Sequence, residues 1–193
     1  MANRDPAVEA DRRLVALAAG ALLVLLATEG LTLPDVRDHL PEHLFIGLLL
    51  VPPLALKLAA AGRRLVRYYA GDPAYRRAGP PGLLMRLLAP LLVLSTIALL
   101  ATGIELWLFG LRFGAGWITA HELSFVAWAG VGSIHVLGYL ERAGGDALAD
   151  LRRDPDLPGA VTRRSLLGAS LLLGLLLGLL TLLWPGPFLV FPQ

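Results

Sequence analysis

The sequence predicts an all-α integral membrane protein of five transmembrane helices, read as one membrane domain over residues 1–193. Three observations carry that prediction. Hydrophobic residues fill 56% of the chain and the mean hydropathy is +0.66, more than a soluble domain of this size holds. Five windows reach the ~20 mostly apolar residues that a spanning helix needs. The basic residues crowd to one side of those windows, as membrane topology requires. No segment alternates in the manner of a membrane barrel, so helices must satisfy the backbone in lipid.

In chain order the windows are residues 14–32, 43–61, 83–109, 118–140 and 165–184. The first is too long and too polar at its flanks for a cleaved signal peptide, and no small-residue cleavage site follows it. The second holds Pro52 and Pro53, which are expected to interrupt and kink it and to free carbonyls mid-membrane. The third follows the break Gly79-Pro80-Pro81-Gly82. The fourth carries two histidines, His121 and His135. The fifth is almost all Leu and Gly with no ionisable group, and is expected at the periphery. Its Gly168, Gly174 and Gly178 would let it lie close to a neighbour. Helices one to four then make a four-helix bundle in which chemistry could occur. Turns are expected at 33–42 and 110–117, and longer loops at 62–82 and 141–162.

Orientation follows the arginines. Of 17 Lys and Arg, fourteen lie N-terminally (Arg4, Arg12, Arg13), between helices two and three (Arg63, Arg64, Arg67, Arg76, Arg77, Arg86), or between four and five (Arg142, Arg152, Arg153, Arg163, Arg164). Only Arg37 and Arg112 fall on the other side, and Lys57 lies inside a span. The N-terminus is therefore expected in the cytoplasm and the tail from Trp184 to Gln193 outside, in a cytoplasmic (inner) membrane. The pI of about 9.4 is then a topology signal and no argument for nucleic acid. The chain has no cysteine, which excludes disulfides, iron–sulfur clusters and covalent c-type haem.

An ionisable group in hydrocarbon costs free energy and is a functional candidate. Here these are His43, Lys57, His121, His135, Glu29 and Glu105. His121 and His135 are 14 residues apart, and so are His43 and Lys57. At about 100° and ~1.5 Å per residue, that interval returns to nearly the same face ~21 Å further along. Helices two and four run the same way, so His43 is matched in depth by His121, and Lys57 by His135. Facing nitrogen donors on neighbouring helices are what a haem held in a bundle requires. Gly47 and Gly132, each one turn from a histidine, would give the porphyrin edge room, and Phe125 and Trp128 could pack against it.

Other readings stay open. A histidine near a helix end can be a plain interfacial residue. Lys57 could be a nitrogen ligand, a cation for a haem propionate, or a snorkelling side chain. His39 reads as a loop residue, because Pro41 separates it from His43. Glu29 and Glu105 read as interfacial, with a proton route or quinol contact as the alternative. A zinc or copper site drawn from His39, His43 and His121, with Glu42 or Glu122, is the rival coordination chemistry. It leaves His135 and Lys57 unexplained.

Several runs resemble one family. They are His43-Leu-Phe-Ile-Gly47, Val51-Pro52-Pro53 to Leu56-Lys57, and Val66-Arg67-Tyr68-Tyr69. With them go Gly79-Pro80-Pro81, Leu87-Leu88-Ala89-Pro90, and His121-x-x-x-Phe125-x-x-Trp128 ending at His135. Together, over roughly residues 12–184, they resemble the cytochrome b561-like bacterial membrane cytochromes. Relatives of that group are fused to, or act beside, a sulfite-oxidase-like molybdopterin oxidoreductase outside the membrane. The run Thr162-Arg163-Arg164-Ser165-Leu166-Leu167 also resembles a twin-arginine export signal, and equally fits two arginines ahead of a last helix. With the last residue at Gln193, the expected redox partner is a separate protein or absent. Lys57 departs from the pattern of a di-haem cytochrome, which would place His there.

The expectation is a b-type cytochrome carrying electrons between a membrane quinone pool and an extracytoplasmic redox partner. His43 and His121 are the expected axial ligands of one haem b. His135, with Lys57 as ligand or neighbour, is expected to serve a second. The alternative class is a non-redox transporter or an assembly or anchor subunit, since a proline-broken helix beside ionisable groups also marks transporter sites.

Overall fold

A computed structural model of the chain describes residues 5–151, 159–184, 186 and 187; the side chains of residues 141–144, 146 and 148–151 lie outside that description. So do the loop arginines Arg142, Arg152 and Arg153 and the tail from residue 188. The described elements are α1 (Pro6–Gly30), a 3-10 turn (Leu33–Asp35), α2 (Leu40–Tyr69), α3 (Pro73–Ala78), α4 (Leu83–Phe109), α5 (Gly116–Leu151) and α6 (Ala160–Leu183). Five of them are long and apolar enough to cross a membrane. The protein is an all-α, multi-pass membrane protein.

Local sequence sets the boundaries. Asp5 caps α1 by accepting a hydrogen bond from the Ala7 N–H at 2.9 Å, with Pro6 in the first turn. Asp72 caps α3 in the same way through Ala74 at 3.0 Å, ahead of Pro73. Both pairs combine the side-chain acceptor and the fixed φ that helix starts favour. Gly110 takes φ 58° and ends α4, a conformation that favours glycine. Helices α2 and α5 have 30 and 36 residues. At ~1.5 Å per residue both exceed the ~30 Å of hydrocarbon and project past it.

Two expectations are corrected. Pro52 and Pro53 do not interrupt the second helix; both are buried inside a continuous α2. The loops expected at 62–82 and 141–162 are partly helical: α2 runs on to Tyr69, α3 occupies Pro73–Ala78, and α5 reaches Leu151. These stretches are too charged to count as spans, yet they continue a helix that the membrane segment has already nucleated.

Neighbouring helices pack as α1 on α2, α1 on α5, α4 on α5, and α2 more lightly on α4. This closes a ring of four in which α2 and α5 lie on one diagonal and α1 and α4 on the other. Helix α6 lies outside the ring, against α2 and, less extensively, α1. Its approach is close. A Cβ on Gly174 would collide with the Leu49 carbonyl, and one on Gly178 would lie 2.9 Å from the Phe45 carbonyl oxygen. Pro53 has no N–H to give the Leu49 carbonyl, four residues back, so that oxygen turns its unused capacity toward the bare Gly174. Gly168 has nothing within 4 Å of its would-be Cβ and takes no part.

Exposed side chains on α4 include Leu83, Leu84, Leu87, Leu91, Leu94 and Ile97, and on α5 Leu123, Val126, Ile134 and Leu137. An apolar band of that extent suits lipid and would not be tolerated in water. One polar cluster lies at the arginine-rich end. There Asp11, fully buried, accepts a 2.7 Å hydrogen bond from the Tyr75 hydroxyl and forms an ion pair with Arg63. Arg67 stacks over the Tyr75 ring at 5.5 Å and pairs with Asp72 at 3.2 Å. This cluster ties α1, α2 and α3 together.

Candidate functional site

At the opposite end, the imidazoles of His43 on α2 and His121 on α5 meet across the ring diagonal. Their centroids are 6.3 Å apart and their planes stand at 89°. α2 and α5 are not packed against each other along their length; the two rings bridge the space between them.

Each ring is fixed by its Nδ1 atom. His121 Nδ1 lies 3.0 Å from the Thr102 hydroxyl on α4. That hydroxyl has one hydrogen, which it gives to the carbonyl of Ala98 at 2.7 Å or Leu99 at 3.0 Å. With that hydrogen on the carbonyl the oxygen accepts toward the histidine, and His121 would then carry its proton on Nδ1. His43 repeats the logic. Its Nδ1 lies 3.1 Å from the Thr32 hydroxyl, which donates to the Glu29 carbonyl at 2.7 Å, and 2.8 Å from the Glu29 carboxylate. A carboxylate accepts, so its contact suits a proton on His43 Nδ1 as well. That tautomer would leave Nε2 its lone pair in both rings, the arrangement found where a second group orients a metal-bound histidine.

Two imidazoles sharing a metal at ~2.0 Å from each ring nitrogen would have ring centres roughly 6 Å apart, and the 6.3 Å between His43 and His121 is compatible with such a pair. A Cβ on Gly103 would come within 3.0 Å of His121 Cε1, so the Cε1 edge of that ring approaches bare α4 backbone. At Gly47 a Cβ would make only ordinary contact, 4.0 Å from Glu29 Oε1. Two such ring nitrogens would be suited to holding a haem iron.

Lys57 on α2 and His135 on α5 lie further toward the arginine-rich end. Both are half-buried. The His135 ring lies 5.0 Å from that of Tyr139, and its Nδ1 is buried without a hydrogen-bond partner. Around Gly132 a Cβ would make ordinary contacts with Leu92 at 3.7 Å and Trp128 at 3.9 Å. A methyl group would thus be accommodated where a glycine was expected to make room. Both Glu105 carboxylate oxygens are buried without partners, one turn beyond Thr102.

The zinc or copper arrangement is not assembled. His39, Glu42 and Glu122 are exposed, and among the described residues no three His, Asp or Glu side chains converge as a metal site. His39 serves instead as the residue before α2, with Pro41 accepted in the first turn. Sequence reasoning missed Thr32, Thr102 and Gly103, and underweighted Glu29. A threonine within an apolar run carries no signal until its partner is known. Comparison with family models, with curated proteins and with solved structures finds no match for this chain.

Proposed function

We propose that the chain is a membrane b-type cytochrome that passes electrons between a quinone pool and an extracytoplasmic redox partner, a molybdopterin oxidoreductase being the class its sequence resemblance implies. One observation carries this reading: two Nδ1-anchored histidines on diagonal helices, with ring centres 6.3 Å apart, compatible with a shared axial metal. A haem there supplies a one-electron couple. The chain's own part would be to orient both imidazoles through Nδ1 and to exclude water from the site. The bias of arginines toward one end supports a cytoplasmic N-terminus and a site near the outer surface. His135 and Lys57 offer a second position at the inner depth, with His135 as the ligand and Lys57 as ligand or neighbour.

Purified protein from haem-replete cells tests the reading. Dithionite is expected to bring up sharp b-type α and Soret bands, with pyridine haemochrome giving one haem per chain, or two if the inner position is filled. A colourless, folded preparation would overturn the cytochrome and leave the transporter or anchor.

A further inference from the structure

The two histidines are held by unlike groups. His121 leans on a neutral hydroxyl. His43 leans on a carboxylate: Glu29 Oε1 lies 2.8 Å from its Nδ1, with the two side chains 14% and 19% exposed. Glu29 is close-held. Its other oxygen is buried without a hydrogen-bond partner, and among the described residues it has no ion pair with Lys or Arg. Among the described residues, the arginines at this end, Arg37 and Arg112, are exposed, and His43 is the ion-pair partner of the carboxylate.

We propose that Glu29 is a positioning residue whose buried carboxylate makes His43 the stronger donor of the pair and lowers the reduction potential of the centre. The inference rests on the cytochrome reading. A carboxylate drawing on the Nδ1 proton pushes electron density to Nε2 and raises ligand basicity. The oxidised iron centre carries one more positive charge than the reduced one, so a fixed negative charge beside its ligand favours the oxidised state. Low local dielectric strengthens that effect, because water does not screen it. Thr102 supplies direction to His121 without charge. One axial side is thereby tuned and the other only aimed.

Redox titration of Glu29→Gln against wild type tests this. The amide keeps an acceptor for Nδ1–H and removes the charge. The expected result is wild-type haem content with a midpoint potential raised well beyond that of Glu42→Gln, which removes an exposed carboxylate next to His43 in sequence. A potential equal to or below that of the control overturns the proposal. Should Glu29→Gln not assemble, reduced wild-type protein labelled with ¹⁵N-histidine gives a second readout. The His43 Nδ1 proton is expected well downfield of that of His121, with Thr102→Val moving only the latter; equal shifts overturn the assignment. A wild-type protein without haem would sink the cytochrome reading itself, whereas an unmoved potential sinks only the role of Glu29.

Discussion

Thr102 favours the Nδ1–H tautomer of His121 when its single proton goes to a carbonyl of its own helix. The same side chain, replaced by valine, keeps its shape and loses the acceptor. His121 then has a buried Nδ1–H with no partner, at a cost of about 1–3 kcal/mol, and its ring is free to turn. Thr102→Val is expected to bind haem roughly 10–100-fold more weakly, read as faster transfer of haem to apomyoglobin. A wild-type transfer rate would remove Thr102 from the site. The histidines themselves were legible in the sequence, because His43 and Lys57 repeat the 14-residue interval of His121 and His135. Their anchors were not. Thr32 and Thr102 are 11 and 19 residues from the histidines they hold, and no helical period connects them. Asp11 was hidden for the same reason: its partner Tyr75 is 64 residues away.

Among the helices, α6 shows how a proline on one can be answered by a glycine on its neighbour. Pro53 leaves the Leu49 carbonyl without an N–H, and Gly174 of α6 lets a second backbone come close to it. Weak Cα–H···O contacts and close packing are what hold helices together in lipid, where no hydrophobic force acts between them. Gly174→Leu is expected to destabilise the folded protein by about 1–3 kcal/mol through overpacking, seen as a lower unfolding midpoint in detergent. Gly168→Leu, on the same helix with open space around it, is expected to leave the midpoint unchanged. Equal effects would mean that α6 is not seated on α2 through Gly174. The apolar windows located all five spans, since hydropathy and length alone define them. They fell short at the arginine-rich ends, where α2 and α5 continue as charged helix beyond hydrocarbon. Hydropathy reads the membrane, and those turns lie outside it.

The whole molecule is a ring of four helices that is polar at both ends and coated in leucine between. Buried Asp11 and its partners close one end, and the histidine pair closes the other. The proposed orientation, which rests on the placement of fourteen of 17 basic residues, puts the first of these ends in the cytoplasm. With no native cysteine, single-cysteine labelling reads the orientation against a clean background. Asp38→Cys is expected to react with an impermeant maleimide in intact cells, and Arg76→Cys only after lysis. The reverse pattern would place the histidine pair on the cytoplasmic side and remove the extracytoplasmic partner.

If one iron is shared by His43 and His121, electron paramagnetic resonance of the oxidised protein reports it. Imidazole planes near 89° would leave the two π-type iron orbitals almost equal in energy and give a low-spin ferric signal of high anisotropy. That signal is expected in wild type and lost in His121→Ala. Its absence from wild type, or its survival in His121→Ala, would rule out the shared iron.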